Sequence, residues 1–247
     1  MAQTYRSEDC GQYRMEYGKP HRELEPPERE IAVVDEALSV LVAEGILPHA
    51  RYDHEKMLAH RKAVRQMFEI PWTAITPRMQ RLLYAINAIV QPANLIAAGV
   101  FCGNTFISNA GAAVGPGACY RARQLLGVEI DPEKAALAER NVRKIDPTGT
   151  ARVLVEDAID TARNFPEPID LLYLDADGTP QQGKGIYLTI LQAAWDRIRP
   201  GCVVLAHNSF NCAKRLEHYL SFVRDPAHMR ASVNVLLDCE GLEVSVR

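Results

Sequence analysis

Hydrophobic residues in the first third of the chain recur at the spacing of an α-helix. Between residues 31 and 41 they lie three or four positions apart: Ile31, Val34, Leu38 and Leu41. This period predicts a helix that ends near Gly45, and the same reasoning predicts helices over His54–Phe68 and Pro77–Ile89. The polar stretch 1–30, which has two prolines near its end, lacks this period and is typical of a mobile or partner-docked arm.

After residue 92 the chain alternates between short apolar runs and helical stretches. We predict strands at the apolar runs Leu95–Gly99, Leu125–Ile130, Arg152–Val155, Ile169–Leu174 and Val203–Ala206. Strands of this kind that are separated by helices form a parallel sheet with both faces covered, so the fold class is α/β. Two later β runs, Ser232–Leu237 and Leu242–Val246, flank a short acidic connection that contains Gly241, which predicts an antiparallel hairpin at the sheet edge.

Composition and charge narrow the class of partner. The chain has 247 residues, of which 47% are hydrophobic and 24% are charged, as in ordinary globular proteins. A net charge of −3 gives no basic surface for nucleic acid, and no apolar run approaches the roughly 20 residues that span a bilayer. We therefore expect a cytoplasmic protein without a nucleic-acid or membrane partner. The six cysteines are scattered, which predicts free thiols.

The first predicted strand ends in a loop with two glycines, Gly99 and Gly103, just before a helix that begins near Thr105. Glycine allows close approach of the backbone to a ligand, and a helix N-terminus offers free N–H groups to a carboxylate or a phosphate. The spacing differs from the three-glycine fingerprint of dinucleotide-binding folds, which counts against an NAD-linked dehydrogenase. An ordinary tight turn between strand and helix remains an alternative for this loop taken alone.

Acidic residues follow the next two predicted strands. Glu129 lies at a strand tip, where a carboxylate can accept both hydroxyls of a ribose, and Asp131 is expected to cap the helix that follows. Asp157 and Ala158 come after the third strand, where a carboxylate and a backbone N–H could contact an adenine ring. Ligands of open parallel sheets bind at these carboxyl ends, so we expect the side chains to share one site.

The fourth and fifth predicted strands bring further polar groups to the same edge. Asp175 and Asp177 follow the fourth strand, and His207 and Asn208 follow the fifth. Asp175, His207 and Asn208 could therefore converge on a metal ion or on a substrate hydroxyl.

These stretches resemble the small class I O-methyltransferases that depend on S-adenosylmethionine (SAM) and include catechol and caffeoyl-CoA O-methyltransferases. Gly99–Thr105 is similar to the family's first motif, Val128–Pro132 to its ribose motif and Tyr173–Asp177 to its D-A-D motif. The similarity covers approximately Thr76–Arg247. It implies a Rossmann-like fold whose seven-stranded, mostly parallel sheet ends in an antiparallel hairpin.

The resemblance also implies roles for individual residues. It assigns Thr105 and the neighbouring amides to the methionine end of SAM, Glu129 to the ribose, and Asp157 with Ala158 to the adenine. The other expected contacts to SAM are Gly99, Phe101, Gly103 and Asp175. Asp175, His207 and Asn208 correspond to the family's divalent-metal triad, which is normally Asp, Asp and Asn.

Three departures from the family pattern change what we expect of the site. An imidazole at His207 suits Mg²⁺ poorly, so the metal is a softer ion, or there is none, or His207 is the general base. Ala97 replaces an acidic residue that contacts the amino group of SAM. Gly178 replaces the lysine that usually deprotonates the acceptor, and Lys184 in the following loop is a candidate substitute, although it can equally be a solvated loop lysine.

We therefore expect a SAM-dependent methyltransferase that acts on a small molecule, most simply on a hydroxyl of an aromatic or heterocyclic compound, with catalytic residues Asp175, His207 and Lys184. Residues 1–75 form an appendage for a lid or for a homodimer contact, and residues 76–247 form the SAM-binding catalytic domain. Three tyrosines of the arm are lid candidates, although solvated or dimer-contact positions are as reasonable: Tyr5, Tyr13 and Tyr17. The alternatives are a metal-independent C- or N-methyltransferase of a small ring compound and a SAM-binding protein without catalysis.

Overall fold

The computed structural model describes residues 3–247; the first two residues of the predicted arm lie outside this range. The strands are β1 (Gln3–Arg6), β2 (Asn94–Ala98), β3 (Gln124–Glu129), β4 (Ala151–Val155), β5 (Ile169–Leu174), β6 (Ile198–His207), β7 (Ala231–Leu236) and β8 (Leu242–Val246). The α-helices are α1 (Pro27–Ala43), α2 (His54–Met67), α3 (Pro77–Val90), α4 (Asn104–Ala110), α5 (Pro132–Ile145), α6 (Ala158–Asn164), α7 (Ile186–Ala193) and α8 (Glu217–Val223). Short 3₁₀ turns lie at Gly115–Gly117 and Gly183–Gly185.

The strands form one sheet in the order β1-β7-β8-β6-β5-β2-β3-β4. Neighbouring strands are parallel except at β8, which runs antiparallel to both β6 and β7. The α/β class, the mostly parallel sheet, the antiparallel hairpin and the N-terminal helices are thus confirmed. The predicted count of seven strands is wrong by one, because β1 pairs in parallel with β7, with Tyr5 opposite Val235.

Alternating side chains of the strands build one hydrophobic core on each face of the sheet. Helices α1 to α5 cover one face, where Leu95 and Ala97 of β2 are fully buried. Helices α6 to α8 cover the other face against Ile96 and Ala98, the residues between and after them. Period-two alternation therefore places consecutive β2 residues in opposite cores, which explains why Leu95–Ala98 is a continuous apolar run.

Local sequence sets where the site-bearing helices begin. The side chain of Thr76 accepts a hydrogen bond from the N–H of Met79, and Pro77 occupies the first turn of α3. Asp131 caps α5 in the same way by accepting from the N–H groups of Glu133 and Lys134. These caps satisfy N–H groups that lack a partner within the helix, so each helix starts at a defined residue beside the sheet edge.

The N-terminal segment docks on the sheet and on α3 of the same chain, which differs from the mobile or partner-docked arm that its composition suggested. The guanidinium of Arg78, fully buried on α3, binds the carboxylates of Asp9 and Glu25 at 2.6–3.1 Å. It also stacks on the ring of Tyr13, with 3.8 Å between guanidinium carbon and ring centroid. A buried arginine costs free energy unless it is paired, so the two acids and the segment that carries them complete the packing of α3.

A second buried ion-pair network connects α1 to α2 and α3. Both carboxylate oxygens of Glu30 accept from Arg61, and Oε1 also accepts from Arg81 at 2.5 Å.

The predicted division at residue 75 stays a prediction, although β1 and these networks join the preceding residues to the sheet domain. Across residues 3–247, no helix has the length and apolar character needed to cross a bilayer. All six cysteines are free thiols, as predicted.

Candidate functional site

Two adjoining cavities open at the carboxyl ends of the central strands. Strand β2 lies between β3 and β5, at the point where the order of the sheet changes direction, which is where open α/β sheets bind ligands. The larger, which we call the glycine-loop cavity, has a volume of about 460 Å³ and follows the tips of β2 to β5. The smaller, which we call the aromatic cavity, has a volume of about 290 Å³ and lies toward β6. Six residues line both: Trp72, Val100, Phe101, Thr105, Asp175 and Lys184.

The loop after β2 has a backbone shape that its two glycines permit. Gly99 has φ of +79°, and a Cβ atom there would lie 2.5 Å from the Cα of Ala176 in the loop after β5. Phe101 also takes a positive φ, of +50°, an uncommon conformation for a bulky residue that turns the loop over the cavity. Gly103, with φ of +87°, packs against Ala138 of α5 instead of lining either cavity.

Glu129 is positioned by the loop that it supports. Its Oε2 accepts a hydrogen bond from the N–H of Phe101 at 2.9 Å, and its Oε1 accepts from the N–H of Asp131 at 3.2 Å. The side chain lines the glycine-loop cavity at the tip of β3. The carboxylate is thus fixed in orientation, while each oxygen retains a lone pair for hydroxyl donors of a ligand.

The tip of β4 closes the far end of the same cavity. Asp157 caps α6 by accepting from the N–H of Ile159 at 2.7 Å, and both Asp157 and Ala158 line the cavity. Ile130 also lines it and is two-thirds exposed, at 67%. Here Ile130 could contact the face of a flat heterocycle, and the polar groups of Asp157 and Ala158 could contact its edge.

Three aromatic side chains line the aromatic cavity: Tyr17, Trp72 and Phe101. The rings of Trp72 and Phe101 lie 4.8 Å apart, and that of Tyr17 lies 6.2 Å from Trp72. The backbone O of Tyr17 accepts from the N–H of Thr73, which ties the N-terminal segment to this cavity. Of the three predicted lid tyrosines, only Tyr17 lines the cavity; Tyr5 donates to the backbone O of Val33, and Tyr13 stacks on Arg78.

Charged groups meet where the two cavities join. The Nζ of Lys184 donates to Oδ1 and to the backbone O of Asp175, both at 2.9 Å, and lies 3.3 Å from Oδ2 of Asp177. The Nδ1 of His207 lies 3.4 Å from Oδ2 of Asp175, an ion-pair contact without the geometry of a hydrogen bond. His207 is almost fully buried and lines the aromatic cavity, and its Nε2 has no hydrogen-bond partner among residues 3–247.

The protonation of this cluster follows from its neighbours. Burial opposes ionisation of the Asp175 carboxyl, but Lys184 and His207 outweigh that effect and lower its pKa to about 2. Burial also disfavours charge on Lys184 and on His207, yet the carboxylate of Asp175 raises the pKa of both. Asp175 is therefore an anion and Lys184 a cation at neutral pH.

The predicted metal triad is brought to one place, but its donor atoms do not fit a divalent ion. Asp175, His207 and Asn208 all line the aromatic cavity. However, the ammonium of Lys184 already binds Asp175, and Nδ2 of Asn208 donates to Oε2 of Glu240 at 2.8 Å. Within the described chain, no group of three or more His, Cys, Asp or Glu side chains is arranged to hold a metal. Hard ions such as Mg²⁺ require a shell of oxygen ligands, which this set does not offer.

Two wall residues of the aromatic cavity escaped the sequence analysis. Glu240 lines it and accepts from the side chains of Asn208 and Asn211, although the sequence suggested only an acidic hairpin connection. Trp72 stands between two predicted helices and belongs to no motif. The sequence did contain a signal for Glu240, because this acid lies in the connection of the predicted hairpin, next to a strand that pairs with β6. No pattern in the sequence pointed to Trp72.

Comparison with known proteins agrees with this architecture. A family model described as a methyltransferase domain matches residues 96–209. The catechol O-methyltransferase of Niastella koreensis is 25% identical over 170 residues, covering 67% of this chain and 71% of that protein. The O-methyltransferase from Bacillus cereus, solved in complex with S-adenosylhomocysteine (SAH), has a TM-score of 0.56 at 15% identity, covering 87% of this chain and 97% of that chain. TomG, an O-methyltransferase from Streptomyces achromogenes solved with SAM, gives 0.56 at 17% identity, covering 90% and 99%.

Proposed function

Because the chain belongs to the class I SAM-dependent methyltransferases of the catechol/caffeoyl-CoA O-methyltransferase-like family, we propose that it moves the methyl group of SAM to a hydroxyl on a small aromatic or heterocyclic compound. The observation that supports this most is the junction of two cavities at Asp175. One has the polar groups that a nucleoside needs, and the other is walled by aromatic rings.

The glycine-loop cavity takes SAM. Glu129 accepts the ribose hydroxyls, Asp157 and Ala158 contact the adenine edge, and Ile130 covers its face. Thr105 and the backbone amides of the loop hold the methionine end, with Gly99 allowing close approach. The order of the strands supports this assignment. Gly99, Glu129 and Asp157 line the cavity at the ends of β2, β3 and β4, which are neighbours in that order, and SAM presents its methionine, ribose and adenine in the same order.

The aromatic cavity takes the methyl acceptor. A planar ring fits between the aromatic wall at Trp72 and Phe101 and the polar floor at His207 and Asn208. Aromatic side chains favour offset or edge contacts with such a ring, and the polar groups on one side fix its orientation. Similarity to a catechol O-methyltransferase supports a phenolic acceptor.

Methyl transfer is an in-line displacement at the methyl carbon, so the protein mainly aligns, desolvates and deprotonates the acceptor. The acceptor oxygen forms a bond to the methyl carbon while the C–S bond breaks, and the bonding pair stays on sulfur to give SAH. We assign the acceptor proton to Nε2 of His207, because His207 lines the aromatic cavity and this nitrogen has no hydrogen-bond partner among residues 3–247. The carboxylate of Asp175, whose Oδ2 lies 3.4 Å from Nδ1 of His207, stabilises the imidazolium that forms.

The proposal is tested with SAM that carries an isotope-labelled methyl group and a panel of phenols that includes catechol. The expected result is a labelled methyl ether together with an equal amount of SAH, identified by mass spectrometry and NMR. Labelled carbon or nitrogen in the product would support the C- or N-methyltransferase alternative. SAH binding without turnover on any acceptor would support the non-catalytic alternative. Light scattering of the same sample tests the homodimer, which stays a prediction.

A further inference from the structure

We infer that this enzyme transfers methyl groups without a divalent metal ion, because Lys184 supplies the positive charge at the position that a metal would occupy. The inference rests on the proposed function and concerns the same site. It starts from the oxygen atoms around the ammonium: Oδ1 and the backbone O of Asp175 at 2.9 Å, and Oδ2 of Asp177 at 3.3 Å. Carboxylate and carbonyl oxygens are also the ligands of hard cations, and here all three of these oxygens contact an internal ammonium.

The lysine is built into this position by its own loop. The 3₁₀ turn Gly183–Gly185 carries Lys184. Gly183 has a φ of +50°, and because it has no Cβ atom it leaves room for the guanidinium of Arg215. The N–H of Gly178 donates to the backbone O of Gly183 at 3.0 Å, which closes the loop back onto the tip of β5. The side chain of Lys184 is only 11% exposed. A lysine fixed in this way differs from a solvated loop lysine that a metal could displace.

The other two residues of the triad, His207 and Asn208, also do not suit a divalent ion. His207 offers one imidazole where a hard ion prefers a carboxylate, and the amide of Asn208 is committed to Glu240 through its NH₂ group. The ammonium of Lys184 lies 2.9 Å from Oδ1 of Asp175, so a divalent ion bound to Asp175 would lie close to it. Two positive charges so close together in a partly buried site repel each other strongly. The family's ion is thus replaced by a charged side chain, which can stabilise the oxygen of an acceptor as it loses its proton.

Binding of Mn²⁺ to the purified full-length protein tests this inference without any need for an acceptor. We expect electron paramagnetic resonance to find no stoichiometric Mn²⁺ in the wild-type protein, with or without SAH. The double variant Lys184→Ala/His207→Asp removes the ammonium and restores a second carboxylate, and we expect it to gain one Mn²⁺ per chain. Lys62→Ala, a change at an exposed lysine on α2, is the control that should behave as wild type.

The outcomes separate this inference from the proposed function. Stoichiometric Mn²⁺ binding by the wild-type protein, or a loss of turnover with EDTA that Mg²⁺ restores, would overturn the inference while leaving methyl transfer intact. Failure to bind SAH in a calorimetric titration would instead count against the proposed function. The wild-type titration decides the matter even where the double variant does not fold.

Discussion

The indole of Trp72 lies against the ring of Phe101, with 4.8 Å between the ring centroids and 35° between the ring planes. Both residues line both cavities, and Trp72 is still 48% exposed. Exposure of so large an aromatic surface costs free energy that a bound ring would recover. We therefore expect the exposed face of Trp72 to contact the acceptor rather than to stabilise the fold.

Trp72→Ala is expected to raise KM for the acceptor about tenfold, the equivalent of roughly 1.4 kcal/mol of lost ring contact, with a smaller effect on kcat. Steady-state kinetics with the acceptor from the labelled-methyl screen measure the effect. Trp72→Phe keeps an aromatic face and should lose much less. Equal losses in the two variants would show that the ring contact is not what matters.

Glu129→Ala is expected to weaken SAH binding by about 10- to 100-fold, because a hydrogen bond to a charged group contributes roughly 1.5–3 kcal/mol. Isothermal titration calorimetry gives the dissociation constant. Part of the loss comes from the loop, since Glu129 also holds the N–H of Phe101. Glu133→Ala, in the exposed first turn of α5, is the matched control, and unchanged affinity in Glu129→Ala would remove Glu129 from the SAM site.

Gly99→Ala is expected to destabilise the protein by more than the roughly 1 kcal/mol that a positive φ alone costs, because its Cβ would meet the backbone of Ala176 at 2.5 Å. Urea unfolding measures the change. Gly201 has a positive φ of +94°, and a Cβ atom added there would have no neighbour within 4 Å, so Gly201→Ala isolates the conformational term. Similar losses at the two positions would mean that the contact with Ala176 is easily relieved.

Buried His60 is expected to make folding stability fall at mildly acidic pH. Burial, assisted by Arg61, lowers the pKa of its imidazole from 6.5 to about 4, so the unfolded chain binds a proton more readily than the folded protein does. Its contribution is fully present above pH 6.5 and is lost as the pH falls toward 4, by an amount on the order of 3 kcal/mol.

The His60 effect is measured as the difference in unfolding free energy between wild type and His60→Leu across this pH range. The comparison matters because the pKa of His207 is raised above 6.5, so that group adds stability as the pH falls toward 6.5, before the His60 contribution is lost. Replacement of His218, an exposed histidine on α8, by leucine is the matched control. A His60→Leu curve parallel to the wild-type curve would contradict the prediction.

Periodicity predicted most elements because each is decided by local sequence. The strand at Ile169–Leu174 and the hairpin strand at Leu242–Val246 have the predicted bounds, and the three long helices differ by a few residues. Strand β1 was missed because Gln3–Arg6 is polar, and its partner β7 lies some 230 positions away in sequence. Pairing between such distant segments depends on the assembled sheet, which local patterns do not contain.

The site divides in the same way. Motifs at the strand tips predicted that Asp175 and His207 would share one region, because parallel strands deliver their carboxyl ends to one edge. They did not predict which cation would bind Asp175. That depends on the path of the loop 178–185, whose turn packs against Arg215, a residue that no motif connects to it.

The N-terminal segment is held at both ends, by β1 on the sheet edge and by α1, and it passes the aromatic cavity between them at Tyr17. The span available to residues 7–26 therefore sets how near Tyr17 stands to Trp72. Insertion or deletion of a few residues in this segment is expected to alter the width of the aromatic cavity without changing the sequence of the sheet. In enzyme engineering terms, segment length is a means of changing the size of acceptor that is separate from the machinery of transfer.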